Sequence, residues 1–571
     1  MYKIAIIGSG PTGIYTAQQL LLQGVDLSIT IFESQAEAGK GTPYHQDWNE
    51  KEMLSNIASI EIPPIHETLV QWLVNLTDFE LAKMGIARAE IDERAFFPRV
   101  ALGRYFQVQL NELIKNAAGT GCVLNVKSSH KVLDVSVIED GVMLAINDDN
   151  DDLINARFDY VVMATGHAWP KNTEIRPGYF LSPWPASCLK TIRDCHVGIR
   201  GTSLSAIDAA VALSTARGVF LRNEAGQLNY LPEPGTEAFR ITMLSRKGVL
   251  PEADFYYPMP YRPLAICSTK AVDSLIAQGP AQLLDKVYAL FKAELAACDP
   301  AYAKAIGLHK LSLDNFASAY FALREQNDPF EWAERNLSEA KANYETKHVV
   351  EWRYAILRMH EAIARVVPIL EANDYERFSR SFKSIFSDCY ATVPHESIER
   401  ILALNRTGKL EVLKAGDDYV LDSESSESGA ILQHEEQRLH YPAFIEAMGQ
   451  HVLSLHEFPF PTLWEQGFIQ KATASQYMYR KNQWMEKIID VGGIALDRAY
   501  HPVSALPDAE RLYCLSLPFL LGQFPFAQGI TSSYDMGKKA AEDIKKQLSE
   551  QTPVLVANDS SHQPVAMEHA Q

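Results

Sequence analysis

The 571-residue sequence lacks paired cysteines. Its seven cysteines, at positions 122, 188, 195, 267, 298, 389 and 514, are scattered and form neither a CxxC pair nor a zinc-finger spacing. An odd number of dispersed thiols argues against a disulfide framework and against a structural metal site. We therefore expect reduced thiols and a cytoplasmic protein.

Excess positive charge and long apolar runs are also missing. The formal net charge is -18, whereas a surface that binds nucleic-acid phosphates needs a concentration of Lys and Arg. The apolar stretch at 512–530 is interrupted by Pro518, Gly522, Gln523 and Pro525, which argues against a membrane span. Met1 leads directly into the strand-like run KIAIIGSG, which leaves no room for a leader peptide. We expect neither nucleic acid nor membrane as a partner, but a small-molecule substrate.

The composition and the hydrophobic pattern indicate a globular protein of several modules. Hydrophobic residues make up 47% and charged residues 22% of a chain that is too long for one ordinary core. Short β-branched runs alternate with amphipathic stretches up to about residue 175, which is typical of parallel α/β units. Residues 265–404 have helical periodicity instead. The acidic run 148–152 is interpreted as a solvated hairpin turn, and the run 423–428 as a polar linker.

A glycine-rich turn follows the first strand and precedes a helical stripe. It consists of Gly8, Ser9, Gly10, Pro11, Thr12 and Gly13. The first glycine permits a tight turn, the second lets the backbone approach a pyrophosphate, and the third lets the helix pack on the strand. Glu33 ends the next strand, where its carboxylate can accept hydrogen bonds from a ribose. The order of these features predicts a dinucleotide site, without distinguishing FAD from NAD.

A second, relaxed glycine turn follows the strand HVGIRG. It consists of Gly201, Thr202, Ser203, Leu204 and Ser205, with serines at two later positions of the fingerprint. The next strand ends in Arg246 instead of an acid, and an arginine there suits the 2′-phosphate of NADP. A solvated surface cation is the alternative reading of this residue. The second site therefore predicts NADPH as a cofactor.

Several stretches outside the glycine turns carry a resemblance to a known family. They are AGKGTPYH (38–45), MLSNIASIEIPP (53–64), FFPRVALGRYF (96–106), HKVLDV (130–135) and YVVMATGH (160–167). Residues 1–178 resemble a bacterial family of FAD-NAD(P)-binding proteins, which is related at greater distance to flavin monooxygenases that hydroxylate amines. The resemblance extends to GQFPFAQGITSS (522–533).

This resemblance implies that FAD occupies the first site. It places the following residues at the cofactor: Gly39, Lys40, Gly41, Tyr44, Asn56, Val132, Thr165, Gly166, Gln528, Gly529, Ile530 and Thr531. For Asn56 the alternative is an ordinary turn cap. His167 follows directly after Gly166, and a lone histidine is more often a structural residue than a base. The aromatic stretch 250–264 is interpreted as a substrate entrance or a domain seam, or simply as a packed loop.

The expected fold class is α/β, with two discontinuous Rossmann-like dinucleotide-binding domains and a helical insertion. We predict an FAD-binding domain from 1–178 and about 451–549, and an NAD(P)-binding domain from 190–264 and about 405–450. The helical insertion is predicted at 265–404 and a disordered tail at 550–571.

Two adjacent dinucleotides predict an FAD-dependent NAD(P)H oxidoreductase. Three fates of the reduced flavin stay open. It can hydroxylate an amine or a similar small nucleophile through a peroxyflavin, it can pass electrons to another acceptor as in a reductase or dehydrogenase, or it can serve a redox sensor that does not turn over. The dispersed cysteines count against the dithiol flavoenzymes. No catalytic residue is assigned, because hydride transfer between cofactors needs no charged side chain.

Overall fold

The computed structural model describes residues 1–170, 172–480 and 483–551. Most of the predicted tail, 552–571, lies outside the described residues, whereas residues 550 and 551 end the last helix. Within the described ranges the strands are β1 (Tyr2–Ile7), β2 (Leu27–Phe32), β3 (Val123–Lys127), β4 (Lys131–Ile138), β5 (Gly141–Asn147), β6 (Leu153–Phe158), β7 (Tyr160–Met163), β8 (Glu174–Arg176), β9 (Tyr179–Phe180), β10 (His196–Arg200), β11 (Gly218–Arg222), β12 (Leu228–Pro232), β13 (Arg240–Ser245), β14 (Leu410–Lys414), β15 (Val420–Asp422), β16 (Ala430–His434), β17 (Gln437–Tyr441), β18 (Ala443–Glu446), β19 (Lys471–Arg480), β20 (Gln483–Ile494) and β21 (Leu512–Cys514).

The α-helices of the same ranges are numbered in the same way. They are α1 (Pro11–Leu21), α2 (Leu69–Val74), α3 (Asp78–Lys83), α4 (Arg99–Ala117), α5 (Ala186–Leu189), α6 (Leu204–Thr215), α7 (Thr269–Ile276), α8 (Leu283–Cys298), α9 (Pro300–Ala305), α10 (Leu313–Glu325), α11 (Pro329–Thr346), α12 (Glu351–Ala364), α13 (Ala372–Arg377), α14 (Lys383–Tyr390), α15 (His395–Arg406), α16 (Pro461–Glu465), α17 (Leu517–Leu520) and α18 (Ile530–Gln551). No helix among the described residues combines the length and the apolar character needed to cross a bilayer.

The first glycine turn lies on a parallel five-stranded sheet with the order β21-β7-β1-β2-β3. Its central strand β1 is buried because Ile4, Ala5 and Ile6 have neighbours on both faces. Helix α1 returns the chain from β1 to β2, and the C-terminal helix α18 packs against it closely enough that a Cβ on Gly537 would lie 2.7 Å from the Thr16 nitrogen. The carboxyl ends of β1, β2 and β7 therefore meet at one edge.

The second glycine turn lies on a six-stranded sheet with the order β14-β13-β10-β18-β9-β8, in which only the edge strand β8 runs antiparallel. Helix α6, followed by the antiparallel hairpin of β11 and β12, connects β10 to the parallel strand β13, in the manner of a Rossmann crossover. Strands β14 and β18 enter this sheet after the helical region, so the sheet is built from discontinuous segments.

The helical region runs from α7 to α15 and has its own core. The helical periodicity predicted for residues 265–404 is reflected in this core, which buries Leu284 and Phe291 of α8 and Ile356 and Met359 of α12. The α/β fold class with two dinucleotide-binding sheets and a helical insertion is thus confirmed, while the division into domains stays a prediction.

Two polar runs flank these sheets. Residues 148–152 form the turn between the antiparallel strands β5 and β6, as expected. Residues 423–428 were expected to be a linker, and this was wrong. They form the turn between the antiparallel strands β15 and β16, because the Asp422 carboxylate accepts hydrogen bonds from the backbone of Glu424 and Ser425, both at 2.9 Å.

Candidate active site

The first glycine turn is compressed between β1 and β7. Gly8 has a φ of +107°, and a Cβ on it would lie 2.3 Å from the Ala164 carbonyl oxygen. A Cβ on Gly13 would lie 2.0 Å from the Gly8 oxygen, so no larger residue fits at either place. Helix α1 then begins at Pro11 without a side-chain cap, which leaves backbone N–H groups at its N-terminus for an anion.

Ser9 links this turn to the predicted ribose-binding acid. Its backbone nitrogen and its hydroxyl both donate to Glu33 Oε2, at 3.2 and 2.6 Å, and its Oγ accepts from the Gly39 nitrogen at 2.8 Å. The Gln35 nitrogen donates to Glu33 Oε1 at 2.9 Å. The Ser34 hydroxyl also donates to Oε1, at 3.3 Å, so the carboxylate is fixed at the end of β2, on the wall of a cavity.

A cavity of about 330 Å³, here called the nucleotide cavity, lies at this edge of the first sheet. The predicted FAD residues on its wall are Gly8, Gly10, Pro11, Thr12, Glu33, Gly41, Tyr44, Val132, Thr165, Gly166 and Gly529. Four other predicted residues, Ser9, Gly13, Gly39 and Lys40, do not line it. Ser9 and Gly13 shape the turn, and a Cβ on Gly39 would lie 2.7 Å from the Gln107 Cα. Lys40 is buried, and its ammonium donates to Glu37 and, at 2.9 Å, to Gln46.

Two glycines on the wall of the nucleotide cavity leave room for a ligand. Gly166 and Gly529 have φ values of +72° and +96°, and a Cβ on either would meet no protein atom within 4 Å. A side chain there would project into the cavity. Open space over backbone, next to an uncapped helix N-terminus and an oriented carboxylate, fits an elongated phosphate-bearing group such as FAD.

The second glycine turn repeats this construction. Gly201 has a φ of +129°, and a Cβ on it would lie 2.6 Å from the Ala447 oxygen. The Thr202 hydroxyl donates to the Val249 oxygen at 2.7 Å. Ser203 is the N-cap residue of α6, and its side chain makes no capping hydrogen bond. Neither hydroxyl therefore occupies the backbone N–H groups at the helix N-terminus. Leu204 and Ser205 line the neighbouring cavity. The turn thus presents free N–H groups, as expected for a pyrophosphate site.

Arg246 lies at the carboxyl end of β13, the strand next to β10. Its side chain is 70% exposed, and its guanidinium lies 3.6 Å from Asp417, whose side chain is also exposed. At that distance the pair is loose and solvent-screened. The arginine is therefore free to bind an anion beside the second turn.

A larger cavity of about 610 Å³, here called the central cavity, lies between the two sheets and the helical region. The predicted FAD residues Asn56, Gln528, Ile530 and Thr531 lie on its wall, together with Tyr44 and Gly529. Tyr44, His167, Leu517, Gly529 and Met536 line both cavities, so the two cavities adjoin.

Two carboxyl groups that no motif marked face the central cavity. Asp254 is buried, and it accepts hydrogen bonds from the Tyr344 hydroxyl and, at 3.1 Å, from the Thr392 hydroxyl. Burial raises the pKa of Asp254 to about 7, with a smaller contribution from Glu61. Burial also raises the pKa of Glu61, which accepts from the Tyr257 hydroxyl at 2.7 Å. Both carboxyls therefore hold protons more tightly than exposed ones.

The charge around the central cavity is not balanced. Glu361 and Asp535 join Glu61 and Asp254 on its wall, and within the described part of the chain none of the four has a cation at ion-pairing distance. Each of the two arginines on the wall forms an ion pair with an acid that does not line the cavity. Arg99 pairs with Asp208 at 2.6 Å, and Arg365 pairs with Asp273 at 2.7 Å. The aromatic side chains of Phe255, Tyr257, Tyr261, Tyr390 and Phe526 complete an acidic, aromatic wall.

Sequence reasoning missed most of this wall because it comes from distant segments. The aromatic stretch 250–264 was one available signal, since an acid embedded among tyrosines is unusual. Of the interpretations offered for that stretch, the structure supports a lining role at Asp254, Phe255, Tyr257 and Tyr261. Tyr390 and His360 of the helical region carried no signal at all.

Comparison with known proteins identifies two regions of the chain. Residues 5–168 match the family model described as FAD-NAD(P)-binding, and residues 268–390 match the model of a YdhS-like middle domain. The family predicted from the motifs is confirmed for the N-terminal region. FAD and a nicotinamide dinucleotide are thus the cofactors of this chain, which makes it a flavin-dependent oxidoreductase.

Some solved structures share the general architecture at low identity. The ornithine N-hydroxylase KtzI of Kutzneria sp. 744 is 11% identical, with a TM-score of 0.47, over 96% of this chain and all of its own. The bacillithiol disulfide reductase of Bacillus cereus is 12% identical, with a TM-score of 0.40, over 96% of this chain and 99% of its own. One is a hydroxylase and the other a reductase, and similarity at this level does not indicate which reaction this chain catalyses.

A much stronger match covers almost the whole length of the chain. The protein YdhS of Escherichia coli strain K12, described as uncharacterized, is 41% identical over 549 residues, which are 96% of this chain and 98% of that protein. Identity at this level and coverage extends through both sheets and the helical region. The chain therefore belongs to the YdhS family.

Proposed function

We propose that the protein uses NADPH and FAD to hydroxylate an amine, or a similar small nucleophile, in its central cavity. FAD is assigned to the nucleotide cavity, with the predicted residues on its wall as contacts. The shared wall of Tyr44, Gly529 and Met536 supports this arrangement, because a ligand in the nucleotide cavity would lie next to the central one.

NADPH is preferred to NADH because of Arg246. The carboxyl end of β13 is where an acid would hold the 2′-hydroxyl of NADH in a Rossmann fold. Arg246 replaces the acid there, and its exposed partner Asp417 is held only loosely at 3.6 Å. A 2′-phosphate carries more charge than one carboxylate and offers several oxygens, so it displaces that contact.

The single observation that carries the amine assignment is the unbalanced negative wall. Four carboxyl groups surround a cavity whose arginines are both paired with other acids. A cationic group with an apolar stem restores the balance and packs against Phe255, Tyr257 and Tyr261. A cation stabilises the ionised form of these carboxyl groups, whereas an anionic substrate would be repelled by it.

The overall reaction consumes one NADPH, one O₂ and one proton for each amine. One oxygen atom enters the new N–OH bond, the other leaves as water, and NADPH and the amine nitrogen each lose two electrons. Bound FAD supplies the electron relay between the nicotinamide and oxygen. The described side chains, Glu61 among them, orient the amine, and Asp254 accepts the ammonium proton, since burial raises the pKa of that carboxyl to about 7.

The test uses the full-length protein loaded with FAD and reduced by NADPH without oxygen. Oxygen is then admitted with amines, or with alcohols and carboxylic acids of matched size, and oxygen uptake, hydroxylamine and hydrogen peroxide are measured. We expect an amine to produce hydroxylamine in proportion to oxygen consumed, and Glu61→Gln to raise the KM for that amine. An exposed-site variant, Glu465→Gln, is the matched control.

Two results would contradict the proposal. Reduction by NADPH with little oxygen uptake, together with transfer of electrons to an added acceptor, would make the protein a reductase. Absence of reduction by either nicotinamide would leave a flavin-binding sensor.

A further inference from the structure

Two aromatic rings stack where the chain leaves the first sheet. His167 and Trp169 follow the carboxyl end of β7, and their ring planes are 3° from parallel with centroids 5.3 Å apart. The Nδ1 atom of His167 and the Nε1 atom of Trp169 are both buried, and neither has a hydrogen-bond partner among the described residues. Both side chains line the central cavity.

Unpaired buried polar atoms are costly, which is why nearly all such atoms in native proteins are bonded. Each one costs about 1–3 kcal/mol unless something pairs with it. Two of them side by side on a cavity wall, rather than inside a packed core, indicate a group that binds there. The same wall carries Leu204 and Ser205 at the N-terminus of α6, and Gly529 at the junction with the nucleotide cavity.

The hydrogen-bonding character of the two atoms can be assigned. Burial lowers the pKa of His167 to about 4, so the ring is neutral at neutral pH, and a contact with the Gln450 side chain opposes this shift. A neutral imidazole has one N–H and one lone pair, and we assign the proton to Nε2, which leaves Nδ1 as an acceptor. The indole N–H of Trp169 can only donate.

We propose that His167 and Trp169 bind the carboxamide of the nicotinamide ring of NADPH. A primary carboxamide has one carbonyl acceptor and an NH₂ donor, the complement of one indole N–H and one imidazole lone pair. This inference rests on the proposed function, in which the pyrophosphate of NADPH lies at α6. Leu204 and Ser205 of α6 line the same cavity as His167 and Trp169, so the pair lies in the space open to a dinucleotide bound at α6.

Other groups that could meet this pair satisfy it less well. An ammonium substrate has only donors, so it would leave the Trp169 N–H unpaired. The edge of the flavin ring has both donors and acceptors, and a change in FAD affinity of the ring variants separates that contact from one with the carboxamide. The packing also favours a fixed geometry, because Trp169 lies against Trp184 at 5.8 Å and the Arg99 guanidinium lies 5.5 Å above the Trp184 ring.

The test measures ligand binding to the oxidised, FAD-loaded full chain by calorimetry, so that turnover is not involved. The ligands are NADP⁺, its 3-acetylpyridine analogue, which keeps the carbonyl but lacks the NH₂ group, and 2′-phospho-ADP-ribose, which lacks the whole ring. Trp169→Phe and His167→Phe keep a stacked ring and remove one polar atom each. Trp332→Phe, whose indole donates to Glu252 at 3.1 Å outside both cavities, is the control.

Each variant has its own expected pattern. Trp169→Phe should weaken the binding of both NADP⁺ and the acetylpyridine analogue by about 2- to 12-fold, which is the range for the loss of one net hydrogen bond. His167→Phe should weaken NADP⁺ binding by a similar factor and leave the binding of the analogue unchanged. Neither variant should alter binding of 2′-phospho-ADP-ribose, and Trp332→Phe should alter none of the three.

Three results would overturn the inference. Unchanged NADP⁺ binding in both ring variants would exclude a carboxamide contact. An equal loss for 2′-phospho-ADP-ribose would indicate general disruption of the site, and a loss of FAD affinity with NADP⁺ binding unchanged would indicate a contact with the flavin edge. Failure of the proposed function is distinct, because it appears as a lack of hydroxylamine formation by the unmodified protein, a reaction that the binding measurements do not involve.

Discussion

Arg99 and Asp208 form an ion pair with an N–O distance of 2.6 Å between helix α4, which packs beside the first sheet, and helix α6 of the second. Their side chains are only 13% and 10% exposed. The pair therefore joins the two dinucleotide-binding regions at the wall of the central cavity. Burial raises the pKa of Asp208, and the Arg99 charge acts in the opposite direction.

Breaking this pair should destabilise the protein more than breaking an exposed one. Asp208→Asn leaves the Arg99 charge without its partner in a mostly buried place, and we expect the free energy of unfolding to fall by about 3 kcal/mol. The matched control is Asp273→Asn, which breaks the half-exposed pair with Arg365 and should cost less than about 1 kcal/mol. Denaturant unfolding of both variants checks this, and equal losses would contradict it.

A methyl group at Gly529 should interfere with FAD. Gly529→Ala meets no protein atom within 4 Å, so the added Cβ points into the space assigned to the cofactor. Gly226→Ala is the control, because Gly226 also has a positive φ and open space but lies in the turn between β11 and β12. We expect similar losses of Tm in the FAD-free proteins, and a weaker FAD affinity in Gly529→Ala alone, measured by flavin fluorescence. Equal FAD affinity in both variants would count against the assigned cavity.

Two substitutions at the end of β13 should move nucleotide preference in opposite directions. Arg246→Ala removes the charge assigned to the 2′-phosphate and should weaken NADPH binding by about 10-fold while leaving NADH almost unchanged. Asp417→Asn removes the competing carboxylate at 3.6 Å and should tighten NADPH binding. Dissociation constants for both nucleotides check this. A parallel change for NADPH and NADH would mean that Arg246 does not contact the 2′-phosphate.

The stability of the protein should depend on pH through Asp254. Burial raises the pKa of this carboxyl from 3.8 to about 7 in the folded state, so the folded protein keeps a proton that the unfolded chain has lost. The stabilising effect is complete below about pH 4 and disappears as the pH rises through 7, at about 1.4 kcal/mol per pH unit. Asp254→Asn should remove this part of the pH dependence and raise the Tm relative to the unmodified protein at pH 8.

Asp149→Asn, in the exposed turn 148–152, is the control for that measurement. Its Tm should follow that of the unmodified protein at every pH. A Tm difference for Asp254→Asn that stays constant between pH 5 and 8 would show that the Asp254 carboxyl does not titrate in this range.

The two dinucleotide sites could be predicted because their signals are local. Gly8, Gly13 and Glu33 lie within one strand, turn, helix and strand, so their pattern can be recognised in one short segment of sequence. The acidic turn 148–152 was predicted for the same reason. The run 423–428 was not, because a polar turn inside a small antiparallel sheet and a polar linker have the same composition.

The central cavity could not be predicted, because its wall is assembled by tertiary contacts. Glu61 and Asp254 lie almost two hundred residues apart and meet only through packing of the helical region against both sheets. Likewise, no sequence pattern shows that the Nδ1 of His167 is unpaired, since this depends on which hydrogen-bonding groups lie around it in the folded protein. The absence of a partner is visible only in three dimensions.

The most direct test of the account is whether NADPH reduces the bound FAD. The full-length protein, loaded with FAD, is mixed with one equivalent of NADPH in the absence of oxygen, and the visible absorbance of the flavin is recorded. The account predicts that this absorbance is lost with formation of one NADP⁺ for each FAD, and more slowly with NADH. Retention of the flavin absorbance with both nucleotides would contradict it.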